Sequence, residues 1–460
     1  MNSGWRLENS YRRLPPVLFE ERAPVPVKAP TLLLWNDAVA ARLGLGEVAV
    51  DVLAGNALPP GSEPIAQAYA GHQFGHPNML GDGRQVLLGE QIAPDGVRFD
   101  MALKGSGRTR YSRSGDGRAA LGPMLREYVI SEAMRALGVP TTLSLAVVGT
   151  GEAVLREDIG PGGILVRVAA SHVRVGTFQF AAAQEDPAVL VALADHIMAR
   201  HFPALAAGDY VGLVREVVAR QAWLIAEWMR VGFVHGVMNT DNMALSGETI
   251  DYGPCAFLEA YGRDIVFSSI DHGGRYAFGA QPSIALWNLT RFAETLLALP
   301  GVAIDDLKAV LEGFPAVFEG HWLAAMRGKL GLTGADDGDA ALVAEVLDWL
   351  ETSAQDHTNF FRALADGLAA DADVDAPWAA RWRARTGPES VDLIRRTAPA
   401  VIPRNHLVDA ALRAGEGGDL EPMRALLDAL ALPYAEKPEN AGFRMPASPE
   451  QAITRTFCGT

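Results

Sequence analysis

Between Gly81 and Arg174 the apolar positions fall in short runs broken by glycine: QVLLGEQI, VRFDMALK, LSLAVVG, EAVLRE and GILVRVAA. Runs of this length, rich in Val, Leu and Ile and bounded by turn residues, predict strands. One segment among them has another period. Met124 to Leu137 repeats its apolar residues at helical spacing, Pro123 stands where a first helical residue is tolerated, and Gly138 with Pro140 supplies the stop. From Asp186 onward the pattern is helical. Asp186-Pro187 opens a helix ending near Phe202, Asp209 opens a longer one through Val231 that Gly232 closes, and the chain to about residue 435 is Ala- and Leu-rich between Gly, Asp and Pro breaks. Residues 1–75 mix a Pro-interrupted stretch with a short helical piece near Leu34–Leu43 and predict an extension wrapping a larger body. No repeat of fixed period is present. The whole predicts an α+β protein: the extension, a small sheet-rich lobe over 76–180 with one key helix, and a large helical lobe over 181–460, with a ligand between the lobes.

Composition narrows the class. With 49% apolar and 21% charged residues over 460 positions, the chain is globular rather than disordered or fibrous. A net charge of −15 disfavours nucleic acid and anionic membrane as partners. No run reaches the ~18 apolar residues of a spanning helix, and the opening MNSGWRLENSYRRL lacks a signal-peptide core. The only cysteines, Cys255 and Cys458, are too few for a disulfide scaffold and predict a reducing, cytoplasmic setting.

Candidate chemistry gathers in three places. After the long helix come His235-Gly236-Val237-Met238-Asn239-Thr240-Asp241-Asn242, a short strand Met243–Leu245, a Ser246-Gly247 turn, a second strand at Thr249-Ile250, and Asp251-Tyr252-Gly253. This order predicts two carboxylates and an amide on neighbouring loops of a hairpin. Hard oxygen donors of that kind suit Mg²⁺ holding a polyphosphate; taken singly, each residue could equally cap a turn. The second place is Lys104, at the end of an apolar strand, with Glu127 on the isolated helix. The chain has only five lysines (Lys28, Lys104, Lys308, Lys329 and Lys437), and a lysine paired with a helix glutamate is the small-lobe arrangement of protein kinases. An edge-strand lysine snorkelling to water is the alternative.

The third is a set of glycine and arginine clusters: Gly81-Asp82-Gly83-Arg84, Gly105-Ser106-Gly107-Arg108-Thr109-Arg110 and Ser114-Gly115-Asp116-Gly117-Arg118. Glycine lets successive N–H groups turn toward an anion, and arginine offers forked donors. Gly115-x-Gly117-x-x-Ala120 fits a relaxed dinucleotide fingerprint, but no strand immediately precedes it. Arg167 and Arg174 alternate with apolar residues at strand period; an arginine in such a run snorkels, pairs with an acid or faces a charged cleft, an exposed strand face being the plain alternative. His72 and His76, without a third ligand, read as structural. A kinase loop runs His-Arg-Asp-x-x-x-x-Asn; aligning His235 and Asn242 with it puts Val237 at the catalytic Asp. Valine accepts no proton, so the protein is either a dead kinase or one in which another acid, Asp241 being nearest, serves a rearranged reaction.

Taken together, AYAGHQFGHPN, LGDGRQVLLGEQ, FDMALKGSGRTRYSRSGDGRAALGPMLREY, HGVMNTDNM, IDYGP, QPSIALWNLTRFAE and the terminal Cys458-Gly459-Thr460 resemble the selenoprotein O family of protein-kinase-like adenylyltransferases, over almost the whole chain. The resemblance implies a protein-kinase-like two-lobed fold. It implies transfer of AMP from ATP, bound in flipped orientation, to Ser, Thr or Tyr hydroxyls of proteins or of the enzyme itself, with UTP and Mn²⁺ as a second donor system. It also implies roles: a Lys104–Glu127 ion pair, Asp241 as base, and Asn242 with Asp251 on Mg²⁺ or Mn²⁺. Nucleotide contacts are implied at Gly81, Gly83, Arg84, Lys104, Asp116, Gly117, Arg167, Arg174 and Asp251. Cys458 stands where some relatives carry selenocysteine, and pairing with Cys255 or two independent thiols are both open.

Overall fold

A computed structural model describes residues 4–156 and 158–457. Eight strands make the main sheet: β1 (Leu7–Glu8), β2 (Phe19–Glu21), β3 (Thr31–Trp35), β4 (Ile65–Gln67), β7 (Gln85–Ile92), β8 (Arg98–Lys104), β9 (Leu143–Leu155) and β10 (Ile159–Ala169). Their order is β2-β4-β7-β8-β10-β9-β3, with β1 beside β7. A separate hairpin is formed by β5 (Ala70–Gln73) and β6 (His76–Met79), and a small ladder by β11 (Phe233–Val234) and β12 (Ala256–Phe257). Helices dominate from Val175 onward, so the chain is α+β with a sheet-rich N-terminal part and a helical C-terminal part. No helix among the described residues is long and apolar enough to cross a membrane.

Strand period decides which side chains reach the site. On β8 and β10, Met101, Leu103, Ile164, Val166 and Val168 face one apolar cluster, while Ala102 and Leu165 face the other. Lys104 and Arg167 share the parity of Ala102 and Leu165. Both therefore project onto the face covered by helix Leu121–Ala136, whose Glu127 is buried against them. The opposite face is covered by Val39, Leu43 and Leu53 from the first 75 residues. That segment also supplies β1 to β4, so it is part of the sheet as well as a wrapping.

Two expectations need correction. LSLAVVG and EAVLRE are one strand, because β10 pairs along both: Gly149 stays in register with Gly163, and Gly151 falls at the irregularity between Pro161 and Gly163. The hairpin expected over 243–250 is absent: Ala244 bridges to Arg174 and Thr249 to Thr141, so each finds its partner in the sheet lobe rather than in the other.

Candidate active site

Helix Tyr210–Arg230 ends at Gly232, whose φ of 74° turns the chain where a Cβ would press His357 at 2.7 Å. β11 and β12 then clamp the loop between them. Within it His235 accepts the Val237 N–H on Nδ1 at 3.3 Å and donates from Nε2 to the Ile250 carbonyl at 3.0 Å. One neutral imidazole thus ties the Asp241 turn to the residue before Asp251, and its burial lowers its pKa.

Lys104 Nζ donates to Glu127 Oε2 at 2.5 Å and to Asp251 Oδ1 at 2.7 Å. Arg167 Nη1 donates to Glu127 Oε1 at 3.0 Å and Asp251 Oδ1 at 2.5 Å, and Arg174 Nη1 to Asp251 Oδ2 at 3.0 Å. Three cations converge on two carboxylates. Burial pushes both acids up, but Lys104 and Arg167 outweigh it at Glu127, and with Arg174 they hold Asp251 far below the usual carboxylate range. Arg174 also stacks on Tyr69 at 4.5 Å and donates to the Asp241 carbonyl at 2.9 Å, joining the two loops. Behind Arg167, His172 Nε2 accepts its Nε–H at 3.2 Å while Nδ1 donates to Asp100 at 3.0 Å. Burial drives His172 to about 4, so it stays neutral and able to accept.

Asp241 differs from these. It lies in the single turn Thr240–Asn242, its Oδ1 has no partner, and burial lifts its pKa to about 6 against a modest pull from Arg174. The β5–β6 hairpin is what covers it. The His72 N–H donates to Thr240 Oγ1 at 2.8 Å, and a Cβ at Gly71 would lie 2.2 Å from Asp241 Oδ1. Gly71→Ala is expected to displace that carboxylate and cut turnover about a hundredfold, while the melting temperature stays within about 5 °C. Steady-state transfer rates and calorimetry on the same preparation check it.

A cavity of about 650 Å³ is lined by Gly83, Arg84, Lys104, Glu127, Arg167, Arg174, Asp241, Asn242 and Asp251. These nine of the residues singled out from sequence meet there. Arg84 is half-buried, and its guanidinium has no partner among the described residues. Asn242 Nδ2 is held by the Val237 carbonyl at 2.9 Å. Gly81, Asp116 and Gly117 do not line the cavity. Gly81 lies under the Tyr111 ring, Asp116 is paired with Arg156 at 2.9 Å, and Gly117 lets the 105–118 loop fold against Gly107. The His72 main chain holds the Thr240–Asn242 turn, and among the described residues no group of three or more His, Cys, Asp or Glu side chains could hold a metal. Cys255 is buried, its thiol pushed up to about 11 by that burial; Cys458 lies outside the described residues.

Sequence reasoning missed Tyr69, Gly71, Asp100 and His172. Asp100 and His172 are 72 positions apart, and only the β8–β10 pairing makes them neighbours. Tyr69 and Gly71 did lie in a motif already noted, Ala68 to Asn78, but nothing in its spacing says that it covers a carboxylate.

The family model described as protein adenylyltransferase SelO matches residues 5–380. The protein nucleotidyltransferase YdiU of Alcanivorax borkumensis is 51% identical over 479 residues, 99% of each chain. The protein of that name in Geobacillus kaustophilus is 52% identical over 484 residues, 100% of each chain. A solved structure, ROP2 from Toxoplasma gondii, described as a virulence factor with a protein-kinase fold and no enzymatic activity, aligns with 63% of this chain and 87% of its own. Its identity is 12% and its TM-score 0.25, an overlap too slight to carry any argument. A family match over most of the chain, and relatives half identical along nearly all of it, lead to one assignment: the chain belongs to the SelO family of protein adenylyltransferases.

Proposed function

We propose that this enzyme transfers AMP from ATP to Ser, Thr or Tyr hydroxyls of proteins, its own chain included, and that Asp241 is the base. The observation that carries this reading is the buried Asp241 carboxylate, whose Oδ1 has no hydrogen-bond partner, in a cavity-lining loop where the kinase position is Val237. The hydroxyl oxygen attacks the α-phosphorus, the bond to the bridging α,β-oxygen breaks, pyrophosphate leaves, and the hydroxyl proton passes to Asp241. Lys104, Arg167, Arg174 and Arg84 supply the positive field in which pyrophosphate accumulates charge. Contacts from Asp116 and Gly117 would require the 105–118 loop to close over a bound nucleotide. Residues 76–180 are the nucleotide-facing lobe and 181–460 the loop-bearing lobe in this reading, with 1–75 wrapping them and adding β1 to β4 to the sheet. The scarcity of cysteine supports a cytoplasmic enzyme.

A divalent ion fits the donor set. Asn242 is oriented by its amide nitrogen, which leaves the Oδ1 oxygen for an ion shared with Asp251, and so small a protein contribution leaves most positions to phosphate and water, as Mg²⁺ or Mn²⁺ requires. When bound, it would neutralise phosphate charge. The chain's own part is to release Asp251 from its cations as these turn to the phosphates.

With α-labelled ATP, label is expected on protein; with γ-labelled ATP, none. Label from the γ-position alone would make the enzyme a kinase. Repeating the assay with UTP and Mn²⁺ measures the donor preference. The base must be ionised to act, so the transfer rate is expected to fall tenfold per pH unit below about 6 and level off above it, the limb set by Asp241. A pH profile of kcat checks this.

A further inference from the structure

The GHQFGHPN hairpin has one face on the catalytic turn and another with no assigned use. Leu80 N–H bonds to the Tyr69 carbonyl, so by antiparallel alternation the main-chain groups of Pro77 and Met79 point away from β5. All four residues of β6 are exposed, Met79 to 58%. Pro77 has no N–H to offer on that outer edge, so a partner is not taken up as an added strand; it is read by side chains.

The side chains around β6 are cationic. At its Met79 end the Arg113 guanidinium approaches the Met79 carbonyl at 3.5 Å, with exposed Arg108 and Arg110 on the same loop. At the Phe74-Gly75 tip, Arg275 lies 3.8 Å from where a Gly75 Cβ would stand and stacks on Trp287 at 4.8 Å. None of the four guanidinium groups has a carboxylate partner among the described residues, and none lines the cavity. The nearby acids are used by main chain: Glu20 accepts the Arg110 N–H, and Asp271 those of Arg275 and Tyr276. In a protein of net charge −15 this is a local reversal of sign. The hairpin beside it covers the Asp241 turn through Gly71.

We infer that the outer face of β6, with Arg108, Arg110 and Arg113 at one end and Arg275 at the other, docks the acceptor protein and selects segments with Asp or Glu around the modified hydroxyl. This rests on the AMP-transfer reading above, since an acceptor protein must be delivered to Asp241. Charges at the rim of an interface act mainly on encounter and selection, which is the behaviour expected here.

The test uses the full chain and two probes, fluorescein-labelled random Glu/Tyr and Lys/Tyr copolymers, with binding read by anisotropy so that no turnover is needed. Glu/Tyr is expected to bind at least about tenfold more tightly than Lys/Tyr. The triple replacement Arg108→Ser, Arg110→Ser, Arg113→Ser is expected to weaken Glu/Tyr binding about tenfold, read without nucleotide so that any part of the 105–118 loop in ATP binding does not enter. Changing the same three arginines to Glu should reverse the preference, which a misfolded variant would not do. Equal affinity for the two polymers, or an unaltered affinity in the triple variant, would each overturn the docking surface. If Glu/Tyr binds in this arginine-dependent way and no α-label reaches any acceptor, the surface stands and the transfer reading fails.

Discussion

Replacement of Asp241 by Asn is expected to lower kcat by about 10²- to 10⁴-fold, the usual worth of a positioned general base, with the KM for ATP changed less than about threefold. The separation follows from geometry. Asp241 contributes only its main-chain carbonyl to the cation cluster, through Arg174 at 2.9 Å, and a side-chain amide leaves that contact in place. Its carboxylate is not a counter-ion of Lys104 or Arg167; those are satisfied by Glu127 and Asp251. The same variant is expected to be more stable at pH 8. An acid raised to about 6 in the folded chain, against an ordinary value of 3.8, binds protons more tightly folded than unfolded. The resulting penalty is absent below pH 3.8, grows between 3.8 and 6, and is complete above 6, where it amounts to at most about 3 kcal/mol. Asn carries no such charge. A lower kcat together with a higher melting temperature at pH 8, and no stability difference at pH 4, is the expected pair of results; a variant that keeps its kcat removes Asp241 from the chemistry.

Local periodicity carried the strands and helices that hold this site. β7 spans the QVLLGEQI run itself, the helix caps Asp186 and Asp209 accept the N–H groups of Ala188 and Gly212, and Gly232 stops its helix with a positive φ. Lys104 and Glu127 could be paired from sequence because a strand end and a helix face both limit where a side chain points. What periodicity does not carry is pairing between distant segments. Ala244 and Thr249 have the alternation of a hairpin, yet Arg174 and Thr141 compete for them and win, a tertiary choice with no local signal. The same applies to β1–β4: the Pro-interrupted first 75 residues look like wrapping because each strand is short, and only the sheet they join makes them strands. Arg167 and Arg174, for which alternation left an exposed face, an acid partner and a charged cleft all open, are both 2% exposed because two carboxylates and a histidine bind them. Asp116 and Gly117 show the reverse: their motif suggests an anion nest, and in this structure Asp116 pairs with Arg156 while Gly117 packs on Gly107, away from the cavity wall.

Asp251→Asn is expected to abolish transfer, by about 10³-fold or more, while ATP binding persists and loses its dependence on metal. Asn is the informative replacement because residue 251 has φ of 63°, a left-handed conformation that Asn adopts and Ala resists. Any loss then reflects the missing charge rather than a refolded turn. In the resting enzyme, Asp251 binds Lys104 at 2.7 Å, Arg167 at 2.5 Å and Arg174 at 3.0 Å, so it competes with phosphate for the same three cations. Removing its charge leaves Glu127 as the carboxylate hydrogen-bonded to Lys104 and Arg167 and takes the carboxylate partner from Arg174, beside the unpartnered Arg84, an excess of positive charge that a polyphosphate relieves. Inorganic pyrophosphate is therefore expected to raise the melting temperature of the variant more than that of the parent. Without ligand the variant is expected to melt lower, since cations stripped of a partner in a largely buried site are costly to hold. Calorimetric titration of ATP with and without Mg²⁺ distinguishes the outcomes. If the variant still binds ATP more tightly when Mg²⁺ is added, residue 251 is not the carboxylate that links ion to phosphate, and Asn242 must find another partner.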